Sequence, residues 1–213
     1  MRKAKWMIAL IWLLGVQMVQ AQGDKRASAI LDQMSTKYKN MKTFSANFTY
    51  GPDSPSAKKM TGAVVVKGVK FKLNMVGQEI YNNGKEIYTY VKETNEVNIM
   101  DYDASADSDF SPTKIYSIYK KGYKYLFKQE MKVGSQVFEV VELSPTAKTS
   151  NVTKIQITVD KKDKSIKSWR IWDKKGKSTL FKVDKFVPNV PANDALFTFD
   201  KSKYPGVEVV DLR

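Results

Sequence analysis

Thr43-Phe44-Ser45-Ala46-Asn47-Phe48-Thr49-Tyr50 is the stretch on which the fold turns, because Phe44, Ala46, Phe48 and Tyr50 fall on every second position with polar residues between them. A period of two marks a β-strand with one dry face and one wet face. The pattern recurs outward along the chain. Phe71, Leu73 and Met75 alternate with Lys70, Lys72 and Asn74, Val97 and Ile99 with Glu96 and Asn98, and Ile155, Ile157 and Val159 with Lys154, Gln156 and Thr158. Gly68, Gly77, Asn83-Gly84, Lys161 to Lys164 and Lys174-Lys175-Gly176 punctuate these runs as turns. The expectation is a chain of antiparallel hairpins, and ten or so strands in one meander must curl.

Two segments break the alternation. From Lys25 to Met41 the apolar residues Ala27, Ile30, Leu31, Met34, Tyr38 and Met41 recur at steps of three and four, the period of an amphipathic helix. From Ser111 to Lys121, Ser111 suits a cap, Pro112 a first helical position, and Ile115, Ile118 and Tyr119 form a short stripe, so a second helix is expected against the sheet. Such helices would cover the concave side. No repeat, low-complexity tract or linker divides the chain, which reads as a single domain over residues 22–213.

The first 21 residues read differently. A cationic Met1-Arg2-Lys3-Ala4-Lys5 precedes an uncharged apolar run from Trp6 to Val19, and Val19-Gln20-Ala21 offers small residues for cleavage. This is the pattern of a signal peptide, removed on export to the periplasm; the run is shorter than the ~20 residues of a stable membrane span, although an uncleaved anchor is the alternative. No Cys follows the run, so the chain is not expected to carry a lipid itself. Cleavage would take Arg2, Lys3 and Lys5 and lower the net charge from +14 to +11.

With no Cys and no His in 213 residues, the fold has no disulfide framework, and nucleophile systems built on imidazole are closed to it. No enzymatic role, cofactor or metal is expected. Asp101, Asp103, Asp107 and Asp109 form the one acidic cluster. It lacks the glycine and terminal Glu of a calcium loop, and a loop does not hold two carboxylates rigidly for glycoside hydrolysis; a solvated loop is the simpler reading. The lysines at 120, 121, 124, 128, 132, 174, 175 and 177 are either a solvated surface or a face for anionic lipid or an acidic partner. Few arginines and no recognition motif speak against nucleic acid.

Large side chains spread over many strands carry the functional argument. Phe48, Phe71, Tyr88, Tyr90, Trp169, Phe181 and Phe197 either fill a core or line a cavity for an apolar ligand. Methionines at 34, 41, 60, 75, 100 and 131 fit both readings.

In order and spacing, the chain resembles the LolA family of periplasmic lipoprotein carriers, especially members from Bacteroidetes. The parts are the amphipathic helix running into Thr43-Phe44-Ser45-Ala46-Asn47-Phe48, then Gly62-Ala63-Val64-Val65-Val66-Lys67 with Phe71-Lys72-Leu73, then Asn83-Gly84-Lys85-Glu86-Ile87-Tyr88-Thr89-Tyr90, and finally Phe197-Thr198-Phe199 with Gly206-Val207-Glu208-Val209. The resemblance implies a mainly β (α+β) fold, an incomplete antiparallel β-barrel of about ten to eleven strands under a helical lid. It implies a monomeric chaperone whose apolar cavity takes the acyl chains of lipoproteins, received from an inner-membrane ABC transporter and passed to an outer-membrane acceptor that the sequence does not identify. The expected cavity and lid residues are Phe48, Val65, Phe71, Leu73, Met75, Tyr88, Tyr90, Ile99, Ile115, Ile118, Trp169, Ile171 and Phe181. Where the family often carries an arginine that latches the lid, this chain has Gly68. On the same half-barrel, a carrier of another apolar cargo such as a glycolipid or pigment, or an envelope-stress sensor, is the alternative.

Overall fold

The computed structural model describes residues 24–103 and 111–213; the expected signal peptide, Asp107 and Asp109 lie outside the described residues. The helix α1 spans Lys25–Lys39, and Asp24 caps it, its carboxylate accepting from the N–H groups of Arg26 and Ala27. The strands are β1 (Thr43–Pro52), β2 (Met60–Lys67), β3 (Lys70–Met75), β4 (Gln78–Asn82), β5 (Glu86–Val91) and β6 (Glu96–Asp101), then β7 (Tyr123–Val133), β8 (Gln136–Pro145), β9 (Val152–Asp160), β10 (Ile166–Asp173), β11 (Ser178–Pro188) and β12 (Glu208–Asp211).

All twelve belong to one open sheet ordered β12-β6-β5-β4-β3-β2-β1-β11-β10-β9-β8-β7. Two antiparallel meanders, β1 to β6 and β7 to β11, are joined where β1 pairs with β11, Tyr50 opposite Phe181. Neighbouring registers stack inward residues in rows: Ala46 faces Val64, Val64 faces Leu73, and Leu73 faces Ile80. The half-barrel expectation holds, with three corrections. Among the described residues there are twelve strands rather than ten or eleven. The additional short one, β12, runs parallel to β6, Val209 opposite Val97, because the chain after β11 crosses the sheet before adding to its far edge.

The third correction concerns Ser111 to Lys121, which is not an α-helix. Lys114, Ser117 and Lys120 donate backbone hydrogen bonds to residues three positions back, only Ile115 reaches four back, and Ile118–Lys120 is a single 3-10 turn. Ile115, Tyr116, Ile118 and Tyr119 are β-branched or aromatic, residues that lose side-chain freedom in a helix, and one turn does not overcome the nucleation cost. α1 is therefore the one α-helix among the described residues.

The core lies between α1 and the inner face of the sheet. Ala27, Ile30, Leu31 and Met34 are buried with Val141, Leu143, Ile155 and Ile157. Each fully buried aliphatic side chain contributes about 1.5–3 kcal/mol of transfer free energy. Polar contacts fix the helix on the edge of the sheet: the Asp24 carboxylate accepts from the Phe127 N–H at 2.7 Å, and Arg26 stacks on the Phe127 ring and pairs with Glu130.

A second cluster packs on the outer face. Phe199 and Tyr204, carried there by the segment after β11, cover Tyr88 and Tyr90. Tyr81 and Tyr204 both donate to the Glu79 carboxylate, at 2.7 and 2.9 Å. Burial pushes that carboxyl up, but these hydroxyls and Lys92 outweigh it and hold Glu79 below the ordinary range.

Candidate functional site: an apolar cavity beneath the connecting segment

Between α1, the inner face of β1–β3 and β10–β11, and the segment from Pro112 to Tyr116 lies a cavity with about 190 Å³ of free room. That exceeds the ~150 Å³ of an engineered apolar cavity that takes benzene, so the interior is not packed solid here. β1 contributes Phe44, Ala46 and Phe48, β2 Val64, and β3 Leu73 and Met75. Across from them stand Ile166, Trp169 and Ile171 of β10 with Phe181, Val183 and Phe186 of β11. Pro112, Ile115 and Tyr116 close it from the connecting segment, and Tyr38 from the helix.

The walls are aromatic and tightly ordered. Trp169 stacks on Phe181 with centroids 5.2 Å apart, and Phe181 on Tyr50 at 5.7 Å. Tyr38 stacks on Tyr116 at 5.4 Å and meets Phe44 and Phe186 edge-on, both at 5.5 Å. Tyr38 thus joins helix, sheet and connecting segment at one ring. Burial pushes its hydroxyl well above the usual phenol range, so it is neutral at any ordinary pH. Among the described residues no charged side chain lines the cavity. Such a wall offers dispersion and desolvation and no chemistry: it suits a hydrocarbon chain.

Of the residues expected from the sequence, Phe48, Leu73, Met75, Ile115, Trp169, Ile171 and Phe181 come together here. The others stand elsewhere. Phe71 and Ile118 are buried in the core without reaching the cavity. Val65 alternates with the buried Val64 and Val66 and so faces outward, as do Tyr88, Tyr90 and Ile99, whose register places them with Tyr81 and Glu79. Phe197 is fully buried beyond β11.

Two β-bulges explain cavity residues that alternation misses. The pairing of β10 with β9 shifts between Ile166 and Ser168, so Ile166 and Trp169, three apart, both point inward. The pairing of β1 with β11 steps from Asn47–Lys185 to Phe48–Val183, which puts Phe186 inward together with Val183. A further close approach is built at Gly62, where an added Cβ would lie 2.4 Å from Phe48 Cζ, so the ring of Phe48 crosses directly over the β2 backbone.

At Gly68, in the β2–β3 turn with φ +59°, no side chain is available to latch anything. The flanking lysines hold the C-terminal segment instead: Lys67 Nζ donates to Asp194 at 2.7 Å and to the Ala192 carbonyl at 3.2 Å, and Lys70 Nζ donates to Asp194 at 2.9 Å.

Residues 39–200 match the family model described as outer membrane lipoprotein carrier protein LolA. No curated protein matches the chain in sequence. An uncharacterized conserved protein from Thermus thermophilus is similar in structure, with a TM-score of 0.61 at 14% identity over 88% of this chain and 99% of the other. A LolA superfamily protein from Nitrosomonas europaea gives 0.43 at 12% identity, covering 81% and 97%. The lipoprotein LppX of Mycobacterium tuberculosis gives 0.48 at 11% identity, covering 80% and 98%. At such identities the Thermus thermophilus likeness establishes the fold alone. Among the described residues no helix is long and apolar enough to cross a membrane, and no group of three or more acidic, His or Cys side chains is placed to hold a metal.

Proposed function

The chain belongs to the LolA family, outer membrane lipoprotein carriers by description, and from that premise we propose that it is a periplasmic carrier whose cavity shields the acyl chains of lipoproteins between the inner and outer membranes. The observation that carries this reading is the uncharged aromatic and aliphatic lining around open room. Each acyl CH₂ kept from water is worth about 0.8 kcal/mol, so a long-chain client needs a cover to cross an aqueous space. Binding alone achieves that, and the reading assigns the chain no reaction and no cofactor. It acts as a monomer, loaded by an inner-membrane ABC transporter; an acylated lipoprotein is its client.

Room of about 190 Å³ accommodates part of one chain, so a multiply acylated client enters only if the Pro112–Tyr116 segment or α1 shifts outward. The same modest volume favours a second reading, a carrier of a single-chain glycolipid or pigment on the same fold. Mass spectrometry of molecules copurifying with the exported protein separates the two: triacylated peptides support lipoprotein carriage, and a free one-chain lipid in their place overturns it.

A further inference from the structure

Ala46, Val64 and Leu73 form one row of the cavity wall, each opposite the next across β1, β2 and β3, and the next row on the same face is Phe48, Gly62 and Met75. Gly62 brings no side chain to that row, and the ring of Phe48 takes the vacant place: a Cβ on Gly62 would lie 2.4 Å from its Cζ and 2.6 Å from its Cε2. On the far side of the row lies a second pocket, of about 450 Å³, which Gly62, Ala63 and the exposed Val76 help to line. Among the described residues Phe48 and Met75 alone line both spaces. The ring is also wedged from the side, its centroid 5.8 Å from that of Tyr50 and 6.4 Å from that of Phe181. Tyr50 is itself tied down, since its hydroxyl accepts from the Val76 N–H at 3.2 Å and so binds the β3–β4 turn to this end of the cavity.

We propose that Phe48, seated over Gly62 with Met75 beside it, is the end wall of the cavity and fixes the longest hydrocarbon chain the cavity takes. The inference rests on the reading of that cavity as an acyl-chain site and narrows its cargo by length. A chain lying along the strands gains contact with every CH₂ until its end meets the ring, and the surplus of a longer chain stays in water. Glycine at position 62 is part of the device. Any side chain there would drive the ring into the cavity and shorten the limit.

The test is a length series, saturated fatty acids from octanoate to hexadecanoate, each displacing a neutral fluorescent apolar probe from the purified protein below the micelle concentration. In the parent the affinity is expected to rise by up to about fourfold with each added CH₂ and then to level off at a limiting length. Phe48→Ala leaves a void where the ring stood and joins it to the pocket beyond, so the limit is expected to move up by about two carbons or more. Phe48→Leu, a milder truncation that keeps more of the packing, moves it up by less, and Gly62→Ala moves it down. A purely structural role for Phe48 would lower the affinity of every acid by the same factor and leave the limit where it was. That result, a limit moved by neither Phe48 variant, or a parent affinity still climbing at hexadecanoate, overturns the end wall while leaving the cavity reading intact. Failure of every acid to displace the probe from the parent overturns the cavity reading and this one with it.

Discussion

The Tyr38 hydroxyl accepts a hydrogen bond from the backbone N–H of Ile166 at 3.0 Å, across 128 residues of sequence, and so pins the end of α1 to the start of β10 beside the cavity. Both residues line the cavity. The helix is therefore held by a buried polar contact between two residues of the cavity wall.

Tyr38→Phe removes the acceptor and leaves the Ile166 N–H buried without a partner while keeping the ring stacked on Tyr116. The expected loss is about 1–3 kcal/mol of stability in urea unfolding. Undiminished stability would show that the helix is held by its apolar face alone.

Gly62→Ala places a methyl group 2.4 Å from Phe48 Cζ and 2.9 Å from the Asn74 carbonyl oxygen. One of these neighbours is backbone, so the ring must move into the cavity. A destabilisation of about 1–3 kcal/mol, typical of overpacking, and a weakened hold on an apolar probe are expected together. A variant as stable as the parent would mean that Phe48 has room to turn aside.

The helix end has an acid-sensitive anchor. Lys37 pairs with Asp163 at 3.0 Å. Burial pushes the Asp163 carboxyl up, but bonds from Ser165 and Lys37 outweigh it and bring it down to about 2. A carboxylate whose folded pKa lies below its unfolded value adds stability above the unfolded value, near pH 4, and loses it as the pH falls toward 2. Asp163→Asn is thus expected to be less stable than the parent at pH 7, with the difference vanishing between pH 4 and 2 in thermal melts; more than half of the Asp163 side chain is exposed, so the difference is small. A constant difference across that range would contradict the assignment.

Much of this fold is legible in the alternation of apolar and polar residues, because strands such as β1 and β3 keep a strict period of two over their inner face. The site is legible only in part. Ile166 and Phe186 escape because bulges at residues 167 and 184 reset the period, a backbone event with no compositional mark. Tyr88 and Tyr90 alternate as faithfully as Phe71 and Leu73, yet alternation does not say which face is inner; they meet Phe199 and Tyr204 on the outer one. The 111–121 segment carries helix-like spacing but residues that disfavour a helix, and its backbone forms successive turns ending in one 3-10 turn.

Leu73 is only half-buried because its side chain borders open room. Leu73→Glu puts a carboxylate into that room and should reduce the affinity for an apolar fluorescent probe at least tenfold, whereas Leu73→Ala, which enlarges the room, should retain it. Equal binding by both variants and the parent would place the probe elsewhere.

The central claim is that a hydrocarbon chain lies against Trp169, and contact quenching by a dodecanoic acid brominated along its chain measures it most directly. Trp169 lines the cavity and Trp172 does not. Quenching of tryptophan fluorescence is expected to persist in Trp172→Phe and to disappear in Trp169→Phe. Quenching that survives in Trp169→Phe, or is absent from the parent, would contradict the account.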